Sequence, residues 1–215
     1  MVANPDELIE LYEKYREMIT ISKYNFLRDF FQKASIQIRI KDLGKIKTGK
    51  TPSTKLQDNF GGNILWATPK DLSGKYISQT ERSLTEKGLS SGVDVPKDSV
   101  LVCCVGSFGK IGISQDNMSC NQQINYIYDC NFDHEYIYYL IEYNAKKIES
   151  FAQDGVVKIL PLEQFKNIPI KIHKDEDIKK LVPIMKLFDN LMDEILLLTT
   201  YYREVKKFYL NKIFN

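Results

Sequence analysis

A regular spacing of apolar side chains in the C-terminal part of the sequence constrains the fold most strongly. This pattern predicts one long helix over residues 175–215, whose a and d positions form the seam of a coiled coil. From Pro183, which marks its first turn or a kink, the helix would be about 45–50 Å long. That exceeds the flank of a domain of this size, so part of the seam contacts the N-terminal helix, a second copy of the chain or another protein. The seam residues, at alternating intervals of three and four, are Leu181, Ile184, Phe188, Leu191, Ile195, Leu198, Tyr202, Val205 and Tyr209.

The N-terminal segment, residues 1–35, is predicted to form a second long helix. Asn4 suits its cap, and Pro5 suits its first helical position. The run "ITIS" at 19–22 is a weak point where the helix bends or breaks, because β-branched residues are poor helix formers. Apolar residues recur at helical spacing: Leu8, Leu11, Tyr12, Tyr15, Met18 and Ile19, then Phe26, Leu27, Phe30 and Phe31.

The central segment, residues 36–174, has a different period. The stretch "IQIRIKDL" alternates as a strand does, and the short runs "SVLVCCV", "KIGIS" and "INYIYD" lie between glycine-bearing loops. One helix is predicted around "DHEYIYYLIEYNAKKIESFAQ". The fold class is therefore α+β: a loop-rich mixed α/β domain flanked by long N- and C-terminal helices that form an antiparallel coiled coil or helical bundle.

Composition leaves the function open. The 30 basic and 28 acidic residues nearly cancel, so a nucleic-acid surface would have to come from local clustering of lysines. The four cysteines form no C-x-x-C pair, which favours buried reduced thiols over a disulfide or metal site. His134 and His173 lie among charged residues and are predicted to be solvated. The acidic, amphipathic N-terminus is not a signal peptide, and no run of 18 apolar residues occurs, so we expect a cytoplasmic protein without a membrane span.

The stretch "GKIKTGKTPS" matches the spacing G-x-x-x-x-G-K-[ST] of a nucleotide-binding P-loop at Gly44, Gly49, Lys50 and Thr51. A P-loop needs a buried strand before it and a helix directly after the lysine. Here the preceding residues interleave lysine and arginine, and "PSTKLQDNFGGN" carries no apolar stripe at helical spacing. No methyltransferase, dinucleotide or hydrolase motif is found elsewhere. We therefore predict a binding protein with no catalytic residues, no metal site and no cofactor of its own.

Several loops of the central segment combine lysine, small hydroxyls and amides, while acidic residues crowd the helices. Lysine and hydroxyl groups suit DNA phosphates, and asparagine or glutamine suits adenine in the major groove. Two roles are open for Asn121–Gln123: they read bases, or they satisfy buried backbone groups. Trp66 is predicted to pack in the core or at the domain edge and not to stack on a base. The glycines of Gly106–Lys110 are predicted to need positive φ. The candidate DNA-binding residues are Lys47, Thr48, Gly49, Lys50, Thr51, Ser53, Lys55, Lys70, Lys75, Tyr76, Ser107, Phe108, Lys110, Asn121, Gln122 and Gln123.

Five blocks, in order, resemble one target recognition domain of a type I restriction-modification specificity (S) subunit. They are "LGKIKTGKTPS", "FGGNILWATPKDLSGKYIS", "LTEKGLSSGVDVPKDSVLVC", "VGSFGKIGIS" and "CNQQINYI", followed by the long C-terminal helix. The resemblance covers 36–215 and implies a half-length S subunit with a single recognition domain. "IPIKIHKDEDIKKLVPIM" replaces the family's usual proline-rich segment before that helix.

The resemblance also implies a set of partners. A half S subunit would be a non-catalytic homodimer on a bipartite, palindromic or pseudo-palindromic DNA site. It would position methyltransferase (M) subunits and recruit restriction (R) subunits, and S-adenosylmethionine, ATP and magnesium would be bound by those partners. The recognition face varies within this family, so base-reading residues do not follow from the resemblance. An orphan or regulatory half-subunit and a nucleotide-binding enzyme built on "GKIKTGKT" are the alternatives.

Overall fold

The computed structural model describes residues 4–214, so the outer ends of the predicted segments 1–35 and 175–215 lie outside the described residues. The elements fall into a helical unit, residues 4–33 with 173–214, and a central unit, residues 34–172. In chain order they are α1 (Pro5–Phe31), β1 (Ile36–Arg39), a 3-10 turn (Ile40–Leu43), β2 (Lys45–Thr48), a 3-10 turn (Gln57–Asn59), β3 (Phe60–Ala67), β4 (Tyr76–Ile77), β5 (Ser83–Leu84), α2 (Glu86–Ser91), β6 (Val100–Cys103), β7 (Ile111–Ser114), β8 (Ser119–Cys120), β9 (Ile124–Tyr128), α3 (His134–Tyr143), α4 (Ala145–Glu149), α5 (Leu162–Asn167), β10 (Pro169–Ile172) and α6 (Asp175–Phe214). The predicted α+β class is confirmed.

Helix α1 begins as its sequence predicts. The side chain of Asn4 accepts a hydrogen bond from the backbone N–H of Asp6 at 3.0 Å, and Pro5 follows at the first helical position. The predicted bend or break at 19–22 does not occur, since the helix runs unbroken to Phe31. The hydroxyl of Thr20 donates to the carbonyl of Arg16 at 2.8 Å, which satisfies that polar group inside the helix.

Helices α1 and α6 pack antiparallel within the helical unit, because residues later in α1 contact residues earlier in α6. The ring of Tyr12 stacks on Tyr202, with 5.8 Å between ring centroids, while Phe26 and Phe188 lie 5.9 Å apart nearer the other end. The ammonium group of Lys23 lies 2.8 Å from the carboxylate of Asp189. The N-terminal helix is therefore one partner of the C-terminal seam.

Only part of the predicted seam faces α1. Leu181 and Ile195 are buried, and Phe188, Tyr202 and Val205 are half-buried. Ile184, Leu191 and Leu198 remain 37%, 43% and 38% exposed, and Tyr209 is also exposed. The alternate positions on the covered side are taken by Met185, Met192 and Thr199, one residue later in each case. Pro183 lies inside α6, which begins at Asp175, and is not in its first turn.

His173 corrects a prediction made from its neighbours in the sequence. It is buried, not solvated, and one ring nitrogen lies 2.9 Å from the carbonyl oxygen of Phe30. Its ring centroid is 4.0 Å from that of Phe30. The charged residues beside it in the chain gave no sign of these aromatic partners, because Phe30 is distant in sequence.

The central unit contains three small sheets. The largest has the strand order β2-β9-β6-β7-β4, antiparallel except for the last pair, and the others are β5-β3-β8 and β1-β10. Strands β6 and β7 are buried along their whole length, as expected for inner strands rich in apolar side chains. Leu101, Met118, Ile124 and Tyr126 pack together in the core. Helices α3 and α4 occupy the predicted helical stretch and are separated at Asn144. Helices α2 and α5 were not predicted.

Candidate nucleic-acid interface

Two loops of the central unit are fixed to each other by backbone hydrogen bonds. They follow β2 and β8, and we call residues 49–55 and 121–123 the paired loops. The N–H of Gly49 donates to the carbonyl of Ile124 at 2.8 Å, and the N–H of Lys50 donates to that of Cys120 at 2.8 Å. A Cβ at Gly49 would lie 2.1 Å from the carbonyl oxygen of Asn121, well inside van der Waals contact. Glycine is required here because two backbone segments approach closely.

The paired loops bring several predicted side chains together on one surface. Lys50, Ser53, Lys55 and Gln122 are exposed. The hydroxyl of Thr51 donates to the side-chain oxygen of Gln122, which links the two loops through their side chains. This arrangement presents ammonium, hydroxyl and amide groups side by side, which are the donors that DNA phosphates and base edges accept.

Lys47 and Thr48 precede the paired loops on strand β2. The ammonium group of Lys47 lies 5.3 Å from the ring centroid of Tyr128, and the lysine is exposed. The hydroxyl of Thr48 donates to the side-chain oxygen of Asn125 at 2.7 Å. Lys47 extends the basic surface, whereas Thr48 uses its hydroxyl to fix β2 to its neighbour β9.

Asn121 and Gln123 stabilise the second of the paired loops by hydrogen bonds to each other. Asn121 is buried, and its side-chain oxygen accepts from the N–H of Gln123 at 3.0 Å. Its amide donates to the side-chain oxygen of Gln123 at 2.9 Å. Of the two interpretations open from sequence, these contacts favour satisfaction of buried polar groups for Asn121 and Gln123, while Gln122 faces solvent.

Lys75 points into a polar cluster, whereas Tyr76 is 41% exposed and joins the cluster through its hydroxyl. The side chains of Lys75 and Glu135 are 11% and 8% exposed, with 3.1 Å between ammonium nitrogen and carboxylate oxygen. The ammonium group also donates to the hydroxyl of Tyr139 at 2.5 Å, and the hydroxyl of Tyr76 donates to Glu135 at 2.7 Å. This cluster holds the segment at β4 onto helix α3.

The remaining candidates lie on two neighbouring segments. The ammonium group of Lys110 donates to the carbonyl of Pro69 at 2.8 Å, and that of Lys70 lies 3.4 Å from Glu81. Ser107 is exposed and Phe108 half-buried. Gly106 and Gly109 have φ of 73° and 82°, which confirms the predicted positive φ in this loop.

Arg82 is a surface residue that sequence reasoning missed. Its guanidinium carbon lies 4.1 Å from the ring centroid of Phe60 and 5.4 Å from that of Trp66. Trp66 is only 4% exposed, which agrees with the packing role predicted for it. The short stretch "QTERSL" carried no signal for Arg82, because its aromatic partners come from strand β3.

The P-loop interpretation of Lys50 and Thr51 has no support in the local backbone. Strand β2 lies at the edge of its sheet, and residues 49–56 contain no helical turn. The next regular element is the short 3-10 turn Gln57–Asn59. Without a helix N-terminus behind the lysine, the site lacks the row of backbone N–H groups that holds nucleotide phosphates.

The cysteine thiols are shielded from ionisation. Burial raises the pKa of Cys104 to about 12 and that of Cys130 to about 11, and it raises the pKa values of Cys103 and Cys120 as well. Within residues 4–214, no group of three or more His, Cys, Asp or Glu side chains is arranged to hold a metal ion. None of the helices described here has both the length and the apolar character needed to cross a membrane.

Comparison with known proteins identifies the family. The model of the type I restriction modification DNA specificity domain matches residues 35–198. The specificity subunit of the type I restriction enzyme MjaIX from Methanocaldococcus jannaschii is 32% identical over 165 residues, which are 72% of this chain and 38% of that protein. The HindI specificity subunit from Haemophilus influenzae is 28% identical over 197 residues, which are 85% of this chain and 43% of that protein.

The fold agrees with a solved structure. The crystal structure of the HsdS subunit from Thermoanaerobacter tengcongensis superposes with a TM-score of 0.68 at 10% identity, covering 96% of this chain and 53% of that one. The chain thus spans about half, or less, of the proteins it matches. Specificity subunits are non-catalytic components of restriction-modification complexes, in agreement with the prediction that the chain is not an enzyme. On these grounds the chain belongs to the type I restriction modification DNA specificity domain family.

Proposed function

We propose that this chain reads one half of a bipartite DNA site as the specificity component of a type I restriction-modification system. The observation that carries the proposal is the pair of fixed loops, 49–55 and 121–123, which gathers lysine, hydroxyl and amide groups on one surface. Loops held rigidly by a sheet are suited to recognition, because little conformational entropy is lost when they bind. Family membership supports the same role.

Within this proposal, the exposed side chains divide into two tasks. Lys47, Lys50 and Lys55 contact phosphates, because an ammonium group on a flexible stem binds oxygen without demanding one orientation. Gln122 is the amide placed to reach a base edge, since it is exposed and oriented by Thr51. Lys75 acts from behind, by fixing the segment at β4 through Glu135.

We also propose that two copies associate through the helical unit, so that two half-sites are read. Five exposed apolar residues lie beside the line of contact between α1 and α6: Leu11, Tyr15, Met18, Leu198 and Tyr201. Four of them directly precede a buried or half-buried residue, and Tyr15 lies about one turn from both Leu11 and Met18. The same offset on two antiparallel helices turns these side chains to the same side of the pair. An apolar face of this kind is typical of a protein-protein interface.

The proposed partners follow from this assignment. M subunits would dock on the dimer and methylate adenine, and R subunits would join them, with S-adenosylmethionine, ATP and magnesium bound by those partners. The complex would act in the cytoplasm. The orphan alternative differs only in lacking an active partner, so it predicts binding of an M subunit without methylation.

Methylome sequencing tests DNA recognition directly. In cells that express the chain with its cognate M subunit, we expect methylated adenine in a symmetric bipartite motif. A complete absence of motif-specific methylation would contradict the active-system proposal. With the purified complex, Lys50→Ala should flatten the slope of log K against log salt concentration by about one unit, because one phosphate contact is lost. Lys146→Ala, an exposed lysine on α4, is the matched control and should leave the slope unchanged.

Sedimentation equilibrium tests the dimer. The double variant Tyr15→Glu/Leu198→Glu should weaken self-association by at least tenfold, because it places two charges in the proposed apolar face. Leu197→Glu, at an exposed position of α6 outside that face, should associate as the unaltered chain does. Equal dissociation constants for all three proteins would contradict association through this face.

A nucleotide-binding enzyme makes the opposite prediction. It requires ATP hydrolysis by the isolated chain and loss of that activity in Lys50→Ala. Hydrolysis that disappears with Lys50 would overturn DNA recognition by the paired loops.

A further inference from the structure

Arg82 is held by two aromatic rings. Its guanidinium carbon lies 4.1 Å from the ring centroid of Phe60 and 5.4 Å from that of Trp66, and the two rings meet edge to face at 5.6 Å. Stacking on aromatic faces orients the guanidinium plane and uses none of its N–H groups. The arginine is exposed, so those N–H groups remain accessible to a ligand.

The backbone beneath this arginine is also fixed. The carbonyl of Arg82 accepts hydrogen bonds from the N–H of Trp66 at 3.2 Å and from the hydroxyl of Thr80 at 2.6 Å. The next residue, Ser83, pairs with Leu65 in the β3–β5 ladder. The side chain therefore starts from a rigid backbone, and the two rings then fix its plane.

Among the described residues 4–214, no carboxylate or carbonyl oxygen accepts a hydrogen bond from the Arg82 guanidinium. Two other arginines have partners within the chain: Arg39 donates to the side chain of Asn167 at 3.0 Å, and Arg203 lies 2.5 Å from Glu13. The carboxylate next to Arg82 in sequence, Glu81, is paired with Lys70. A guanidinium that is oriented but not hydrogen-bonded within the chain is suited to a planar acceptor from outside.

Arg82 is connected to the paired loops through one short path. Trp66, whose N–H contacts the Arg82 carbonyl, precedes Ala67, and Ala67 pairs with Cys120 in the parallel β3–β8 ladder. The carbonyl of Cys120 in turn accepts from the N–H of Lys50. The arginine and the proposed phosphate-binding lysine thus stand on the same hydrogen-bonded framework.

We propose that Arg82 reads a guanine in the recognised half-site through two parallel N–H bonds to its O6 and N7 atoms. This rests on the proposed DNA recognition and names a base-reading residue for it. An oriented planar fork matches that pair of acceptors, and arginine on guanine is the commonest specific contact in the major groove. A phosphate also presents two oxygens to such a fork, so base reading is distinguished from a backbone contact by whether one base position or every sequence is affected.

Methylation-motif mapping of the complex with its M subunit tests this role. The unaltered complex should require guanine at one position of the half-site. Arg82→Lys keeps the charge but loses the planar fork, so the preference for guanine there should fall about tenfold or more, with the other positions unchanged. Phe60→Leu removes one ring of the support and should relax the same position. Arg39→Lys is the control and should leave the motif intact.

The outcomes separate the two proposals. If the unaltered complex has no motif, DNA recognition itself fails and the role of Arg82 fails with it. If the unaltered complex has a motif that Arg82→Lys and Phe60→Leu leave unchanged, only the base-reading role is overturned. A uniform loss of affinity at all positions, with a salt slope flattened by about one unit, would identify Arg82 as a phosphate contact and also contradict guanine reading.

Discussion

The helical unit and the central unit are each stabilised internally by a different kind of contact. In the helical unit, side chains of two long helices meet in a repeating order, as in the pairs Tyr12 with Tyr202 and Phe26 with Phe188. In the central unit, short segments from distant parts of the chain meet through their backbones, as Gly49 does with Ile124. The spacing of apolar residues in the sequence therefore predicts contacts in the helical unit. In the central unit, the contacts are close approaches between backbone segments, and these leave little periodic pattern in the sequence.

Both units contain exposed ion pairs, and the central unit also contains a deeply buried one. Arg203 and Glu13 in the helical unit form an exposed ion pair, as do Lys206 and Asp6. In the central unit, Lys75 and Glu135 are almost completely buried. Exposed pairs contribute little because water screens them, whereas a buried charge that loses its partner is strongly destabilising. Substitutions that leave buried charges unpaired should thus affect the central unit most.

The largest expected effect is that of Lys75→Met. It removes the ammonium group and leaves the Glu135 carboxylate buried with fewer partners, so the free energy of unfolding should fall by about 3–5 kcal/mol. Urea denaturation followed by circular dichroism measures this change. Lys70→Met breaks the exposed pair with Glu81 and should cost less than about 1 kcal/mol. Equal losses for the two variants would remove the distinction between buried and exposed pairs.

The next largest loss of stability is expected where two backbone segments approach closely at Gly49. Gly49→Ala places a Cβ 2.1 Å from the carbonyl oxygen of Asn121, so the paired loops must separate, and stability should fall by about 3 kcal/mol. Gly74→Ala is the matched control, because nothing lies within 4 Å of its Cβ position, and its effect should be within about 0.5 kcal/mol. DNA affinity of the complex should fall only for Gly49→Ala. A stable Gly49→Ala chain would contradict the close contact.

In the helical unit, the seam can be tested against an exposed residue of the same helix. Ile195→Ala should lower the free energy of unfolding by about 2 kcal/mol, since the side chain is 5% exposed. Leu197→Ala, at 71% exposure, should change it by less than about 0.5 kcal/mol. Both are measured by thermal unfolding. If Leu197→Ala were the more damaging, the pairing of α1 with α6 would have to be rotated.

The sequence predicted both long helices, but it placed one of the two lines of contact residues on α6 one residue too early. The spacing of 181, 188, 195 and 202 identified one line of the seam correctly, because each is buried or half-buried. The other line lies at Met185, Met192 and Thr199, beside the more apolar Ile184, Leu191 and Leu198. The hydrophobic pattern selected Ile184, Leu191 and Leu198 because these residues belong to a second apolar face of α6. The sequence alone cannot say which of two such faces meets α1.

The candidate site was predicted less completely. Lysine, hydroxyl and amide residues identified the paired loops, but the direction of each side chain depends on distant partners. Lys75 and Lys50 look alike in sequence, yet one is buried against Glu135 and the other is exposed. Arg82 was missed for the same reason, since its orientation comes from Phe60 and Trp66 on another strand.

The smallest effect concerns alkaline pH and again separates the two units, because all four cysteines lie in the central unit. Burial raises the pKa of Cys104 from 9.0 to about 12, so the thiol stays neutral in the folded chain while it ionises in the unfolded chain. Its contribution to stability is therefore complete below pH 9 and is lost as the pH rises from 9 towards 12. Between pH 8 and pH 10 the unaltered chain should lose about 1.4 kcal/mol more than Cys104→Ala, a difference that urea denaturation at both pH values measures. The comparison uses the change with pH, so a constant loss from the smaller side chain cancels. Identical pH slopes would mean that Cys104 ionises as easily in the folded chain as in the unfolded one.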